Sequence, residues 1–139
     1  MCAAENSSSY ADSFLDIPGT TIFDAAQARR GYSLNMFCQT LSKATNRETF
    51  KADEGLYLDR FSLTSEQRRA VLARDYGSLV KLGGNVFYLA KLVATDGLPV
   101  VAMVAQMTGV TQSEHMKMMM AGGRPIVGNR SRKEAYRNG

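Results

Sequence analysis

Helix-opening residues recur along this chain at short intervals and strand patterns are nearly absent, which restricts it to a set of short packed helices. Asp24 with Gln27, Thr64 with Gln67 and Thr111 with Glu114 each set a side-chain acceptor three residues before an amide or carboxylate. The pair can satisfy, reciprocally, backbone N–H groups that a helix leaves unpaired in its first turn. Asn46 and Asn85 read as two further caps, and Gly83-Gly84 and Gly122-Gly123 as stops. Between these marks Leu34, Phe37, Cys38 and Leu41 follow the i, i+3, i+4, i+7 rule of a helix with one buried face. Gly31 in the same stretch costs a helix about 1 kcal/mol and is read as a point of close packing. The second helix carries Phe50, Tyr57, Leu58 and Phe61, and the third runs from Thr64 through Val71, Leu72, Tyr76, Leu79 and Val80. After Asn85 the chain is apolar nearly all round except at Lys91, the pattern of a helix covered on several sides, centrally or by another subunit. The apolar stretch 98–106, bracketed by Asp96-Gly97 and Thr108-Gly109, reads either as an interface loop or as a sixth core helix. The expectation is an all-α fold: one helical domain of about five to six helices over 16–123, a disordered N-terminal arm over 1–15 and a basic tail over 124–139.

The side-chain inventory narrows the chemistry. The 139 residues include one histidine, His115, and two cysteines, Cys2 and Cys38. Zinc sites draw on clustered Cys and His, and non-haem iron sites on two His and a carboxylate, so one chain of this composition builds neither. Cys38, among Leu34, Phe37 and Leu41, reads as a small buried hydrophobe. No apolar run approaches the ~20 residues that span a bilayer, and the polar, serine-rich start lacks a secretory pattern. These features lead us to expect a cytoplasmic protein with no membrane contact. The net charge of +4 belongs to the tail alone, where Arg124, Arg130, Arg132, Lys133 and Arg137 face Glu134. Such a tail can dock on nucleic acid, but with little aromatic interleaving it reads better as a solvated or partner-docking strap.

Several landmarks, taken in order, resemble the small (alpha) subunit of protocatechuate 4,5-dioxygenase, a ring-cleaving extradiol enzyme family. They are Ile17-Pro-Gly-Thr20, Ala28-Arg-Arg-Gly-Tyr-Ser-Leu-Asn35 with Phe37, Asn46-Arg47, Phe50-Lys-Ala-Asp-Glu54 and Tyr57-Leu-Asp59. The series continues with Ala70-Val-Leu-Ala-Arg-Asp75, Gly83-Gly-Asn-Val86, Thr95-Asp-Gly97, Met107-Thr-Gly109 and Gly122-Gly-Arg124. No one motif is diagnostic; the ordered set is. The resemblance implies a helical chain with no catalytic residue and no metal of its own. It would pair with a beta subunit holding Fe(2+), in an α2β2 assembly, and cover that subunit's active site as a lid. It maps the substrate-facing lid onto Val100, Val101 and Met103. The chain departs from the family pattern here: the family segment is more polar and bears serine and phenylalanine, whereas this one reads Leu98-Pro-Val-Val-Ala-Met-Val-Ala-Gln106. Protocatechuate, another catechol-type aromatic acid, or a bulkier, less polar catechol all stay open as substrates.

Other features are assigned ordinary roles. Asp96, Gly97, Thr108 and Gly109 are expected to shape the bends around the lid segment, and Val86, Phe87, Leu89 and Leu92 to form the subunit interface. His115 is expected to be a half-exposed helical histidine, and Met116, Met118, Met119 and Met120 an adaptable core or interface patch rather than soft metal ligands. Asp53, Glu54 and Asp59, with Lys51 and Arg60, are read as an ionic surface on one helix. Gly83-Gly84 lacks the spacing of a phosphate cradle and is read as a helix-to-helix turn. The rival to the lid subunit is a helical interaction or nucleic-acid-binding module that uses the basic tail.

Overall fold

A computed structural model describes residues 20–124. By its contacts the chain divides into Phe23–Gly123 and a second unit, Met1–Ile22 with Arg124–Gly139. The first unit is described here; the expected N-terminal arm and nearly all of the basic tail lie outside the described residues. The described residues form nine helices and no strand: α1 Ala25–Arg30, α2 Tyr32–Thr40, α3 Ala44–Ala52, α4 Glu54–Leu58, α5 Ser65–Ala73, α6 Tyr76–Lys81, α7 Val86–Thr95, α8 Val100–Thr108 and α9 Gln112–Met120.

The all-α expectation holds, and the excess over five to six helices has identifiable causes. Three long expected helices are each cut once. Gly31 separates α1 from α2, Asp53 in extended backbone separates α3 from α4, and left-handed Arg74 separates α5 from α6. The stretch 98–106 supplies the remaining helix as α8, so the core-helix alternative was the right one for its backbone. Of the expected caps, Thr64–Gln67 and Thr111–Glu114 form full capping boxes, and Asp24 and Asn85 accept from Gln27 N–H and Phe87 N–H. Asn46 does not cap. The helix opens earlier, at Ala44, and the Asn46 amide instead donates to the Thr40 carbonyl at 2.8 Å, satisfying the end of α2.

α2 and α7 pack along each other at the centre, and the buried faces of α3 to α6 and α8 close around them. Phe37 of α2 sits in a four-ring cluster, with centroids 5.3 Å from Phe50, 6.1 Å from Tyr57 and 5.6 Å from Phe61. These tilted and edge-on contacts add to the burial of the rings themselves. The Tyr57 hydroxyl leaves the cluster by donating to Thr40 Oγ1 at 2.8 Å.

The α6–α7 turn is pressed against the α1–α2 junction without intervening side chains. A Cβ on Gly31 would overlap the Gly83 carbonyl, and Gly83 itself has φ +97°, so both positions demand glycine. Two buried amide side chains hold this contact. Asn35 Nδ2 donates to the Gly83 carbonyl at 3.0 Å while its Oδ1 accepts from Asn85 N–H at 2.9 Å. Gln67 Nε2 donates to the carbonyls of Arg30 and Leu82 at 3.1 and 3.0 Å. Gly31→Ala is therefore expected to cost more than about 3 kcal/mol, because the added methyl meets backbone that cannot rotate away. A urea-unfolding midpoint within error of wild type would contradict the close approach.

Candidate functional site

The best candidate surface is the run of α7, α8 and α9. Asn85 starts α7, which buries Leu89, Leu92, Val93 and Thr95. α7 ends at Asp96, and Gly97 with φ +74° and Pro99 redirect the chain so that α8 leaves at 114° to α7. The corner leaves Leu98 and Val100 exposed and Val101 half-buried. α8 ends at Thr108, whose hydroxyl donates back to the carbonyls of Val104 and Ala105. Gly109 then terminates it in the left-handed conformation. α9 opens on the Thr111–Glu114 capping box and packs on α8, with Met116, Met119 and Met120 exposed along it. Contiguous exposed apolar side chains of this kind mark contact surfaces.

The predicted site residues separate into groups. Asp96, Gly97, Val100 and Val101 come together at the α7–α8 corner, and Thr108 and Gly109 lie at the far end of α8. Met103 does not join the lid surface. It is 1% exposed and belongs to the core cluster, one turn past Val100, where neighbouring helices cover it. Of the four interface residues, Val86 and Phe87 are exposed, Phe87 at 83%. Leu89 and Leu92 are both 0% exposed and packed inside this chain, so no partner can reach them. α7 reads as apolar all round because one stripe serves the core and its first turn does not. Burial also corrects the reading of His115. His115 is 8% exposed rather than half-exposed, with Nδ1 lacking any hydrogen-bond partner. The three carboxylates are used within the chain: Asp53 caps α4, Glu54 pairs with Arg74 at 2.6 Å and Asp59 with Arg68 at 2.6 Å.

Among the described residues no three His, Cys, Asp or Glu side chains gather in metal-binding geometry. With one imidazole in the whole sequence, the donor set does not fit a two-histidine iron centre. Burial pushes the Cys38 thiol up to about 12, so at neutral pH it is a protonated core residue and not a nucleophile. Burial likewise raises Tyr76 to about 12. An open cleft of about 410 Å³ between α5 and α6 mixes Glu66 and Asp75 with Arg69 and Lys81. It lies on other elements than the apolar surface and converges on no reactive group. No described helix is long and apolar enough to cross a membrane by itself.

A family model described as aromatic-ring-opening dioxygenase LigAB, LigA subunit, matches residues 34–120. The chain belongs to this family. The match begins inside α2 and ends on the last residue of α9, so it takes in the whole candidate surface. It agrees with the resemblance to the small subunit of protocatechuate 4,5-dioxygenase. This LigA-family chain is thus a small subunit of an aromatic-ring-opening dioxygenase that works with a partner subunit.

Two outcomes follow for the surface. Met103→Ala is expected to cost about 2–5 kcal/mol by opening a core cavity, read by chemical denaturation of the isolated chain, whereas Val100→Ala should cost under about 1 kcal/mol. The second concerns pH. Hydrogen bonds from the Thr111 N–H and hydroxyl hold the Glu114 carboxyl below its ordinary value of 4.5. A lowered folded value means the cap is fully effective above pH 4.5 and is lost as pH falls through that lowered value. Amide exchange in the first turn of α9 should accelerate over that acidic range, and Glu114→Ala should abolish the pH dependence.

Proposed function

We propose that this chain is the non-catalytic lid subunit of a ferrous extradiol dioxygenase that cleaves protocatechuate or a related catechol-type acid at the 4,5 position. It works in the cytoplasm, in an α2β2 assembly with the beta subunit that holds Fe(2+). The single observation behind this reading is the apolar corner of exposed Leu98 and Val100 with half-buried Val101, displayed on a packed helix within the family-matched segment. Exposed apolar surface of that character marks sites of contact with a partner.

The partner's ferrous ion supplies the activation of oxygen and catechol. The contribution of this chain is exclusion and shape. Closing an apolar corner over the mouth of the site removes water, strengthens the electrostatic contacts inside it and prevents loss of reactive species. Val100 and Val101 carry no polar atoms in their side chains, so they favour the ring and its substituents over the carboxylate. Val86 and Phe87, at the other end of α7, extend the contact with the beta subunit. Obligate interfaces bury upwards of ~2,000 Å² and are apolar, which these exposed side chains suit.

Co-expression with a beta-type subunit tests the reading. Ring-cleavage product should rise when this chain is present, and equal activity without it toward every catechol tried would end the proposal. Val100→Ala should change the ratio of kcat/KM between protocatechuate and a larger catechol by about tenfold, the scale of a small apolar group in a pocket. Iron content of the complex should be unaltered. Iron loss from that variant would contradict the division of labour.

A further inference from the structure

Arg74 is the one non-glycine residue with a left-handed backbone among the described residues, at φ 54° and ψ 35°. Glycine takes that conformation without steric cost and is the usual choice where a helix ends this way. An arginine here is explained by what its side chain does. Nε and Nη2 donate to the two oxygens of Asp96 at 2.7 and 3.1 Å, and Nη1 and Nη2 to the two oxygens of Glu54 at 3.0 and 2.6 Å. Nη1 donates also to the Val71 carbonyl at 2.8 Å, which engages all five guanidinium N–H groups. The guanidinium carbon lies 5.4 Å from the Phe50 ring centroid. Partial burial disfavours its charge, but the bonds it donates to Asp96 and Glu54 more than offset that and raise its pKa.

The backbone of the same residue reaches the other end of α8. The Arg74 carbonyl accepts from Gln106 Nε2 at 2.7 Å, and Tyr76 N–H donates to Gln106 Oε1 at 3.1 Å. Asp96 closes α7 just ahead of the Gly97–Pro99 bend, and Gln106 lies in the last turn of α8. One residue therefore holds α8 through both its approach and its exit. Apolar packing could join these elements without the desolvation penalty of three charges; a planar fork on two carboxylates adds a defined angle.

We propose that Arg74 is a positioning residue for the ring-opening reaction: anchored by Glu54 and bonded to Asp96 and Gln106, it sets where α8 presents Val100 and Val101 to the partner's substrate. This rests on the lid reading above. Lysine cannot replace it, having three donors on one nitrogen and no fork.

The test uses the complex of this chain with its beta subunit, with protocatechuate and 3,4,5-trihydroxybenzoate as substrates. Arg74→Lys and Gln106→Ala should each raise KM at least fivefold and shift the preference between the two substrates. Complex mass and iron content should match wild type, and kcat should change less than twofold. Simple loss of folded subunit would instead lower kcat for both substrates in equal proportion, and that outcome overturns the proposal. Gln106 is exposed and outside the core, so its variant decides the question if Arg74→Lys fails to assemble. If Val100→Ala shifts the preference while Arg74→Lys and Gln106→Ala do not, the positioning role falls and the lid reading stands. If none of the three shifts it, both fall.

Discussion

Direct backbone contact between Gly31 and Gly83 is the constraint on which the remaining arrangement depends. It brings the α1–α2 junction against the α6–α7 turn with no side chain between them, and so sets how closely α7 lies along α2. Such an approach strands backbone carbonyls away from water, which is costly unless each finds a donor. Asn35 and Gln67 supply those donors from within the core, and Gln27 and Arg30 serve the Lys81 carbonyl at its edge. Buried amides that bond only in one register act as a gauge: a core of the same volume made of leucine would tolerate slippage, and this one does not.

From that gauge the outer elements follow in series. α7 is placed by α2, α8 by the bend after Asp96 and by the bonds of Arg74 with Asp96 and Gln106, and α9 by its packing on α8. Each step outward carries fewer buried apolar groups. α7 buries four residues, α8 two and α9 only His115, which is why the chain spends polar and ionic contacts on holding α8. Charged forks are a weak source of stability but a good source of geometry. A small subunit whose work is to present a surface benefits from the second property.

Helix starts were readable because capping is local: Asp24, Thr64, Asn85 and Thr111 bond to N–H groups two or three residues away, within reach of sequence pattern alone. The break at Arg74 was not readable, since its side chain is held by residues about twenty positions distant. Glu54 and Arg74 pair across the fold, and the periodicity of either segment carries no trace of it. The same limit explains the site. The bends at Gly97 and Gly109 and the apolar character of 98–106 were legible, whereas the inward turn of Met103 was not. Apolar residues on a short helix look alike until a neighbouring helix selects the buried stripe.

The sequence by itself determined the helical class, the punctuation of the helices and the absence of enough coordinating groups for an iron centre, because these depend on residue type and short spacing. Tertiary structure alone decided which apolar side chains are core and which are surface, and that an arginine in a strained backbone joins three segments. Burial and long-range pairing arise from how helices meet, and helices meet according to side chains far apart in the chain.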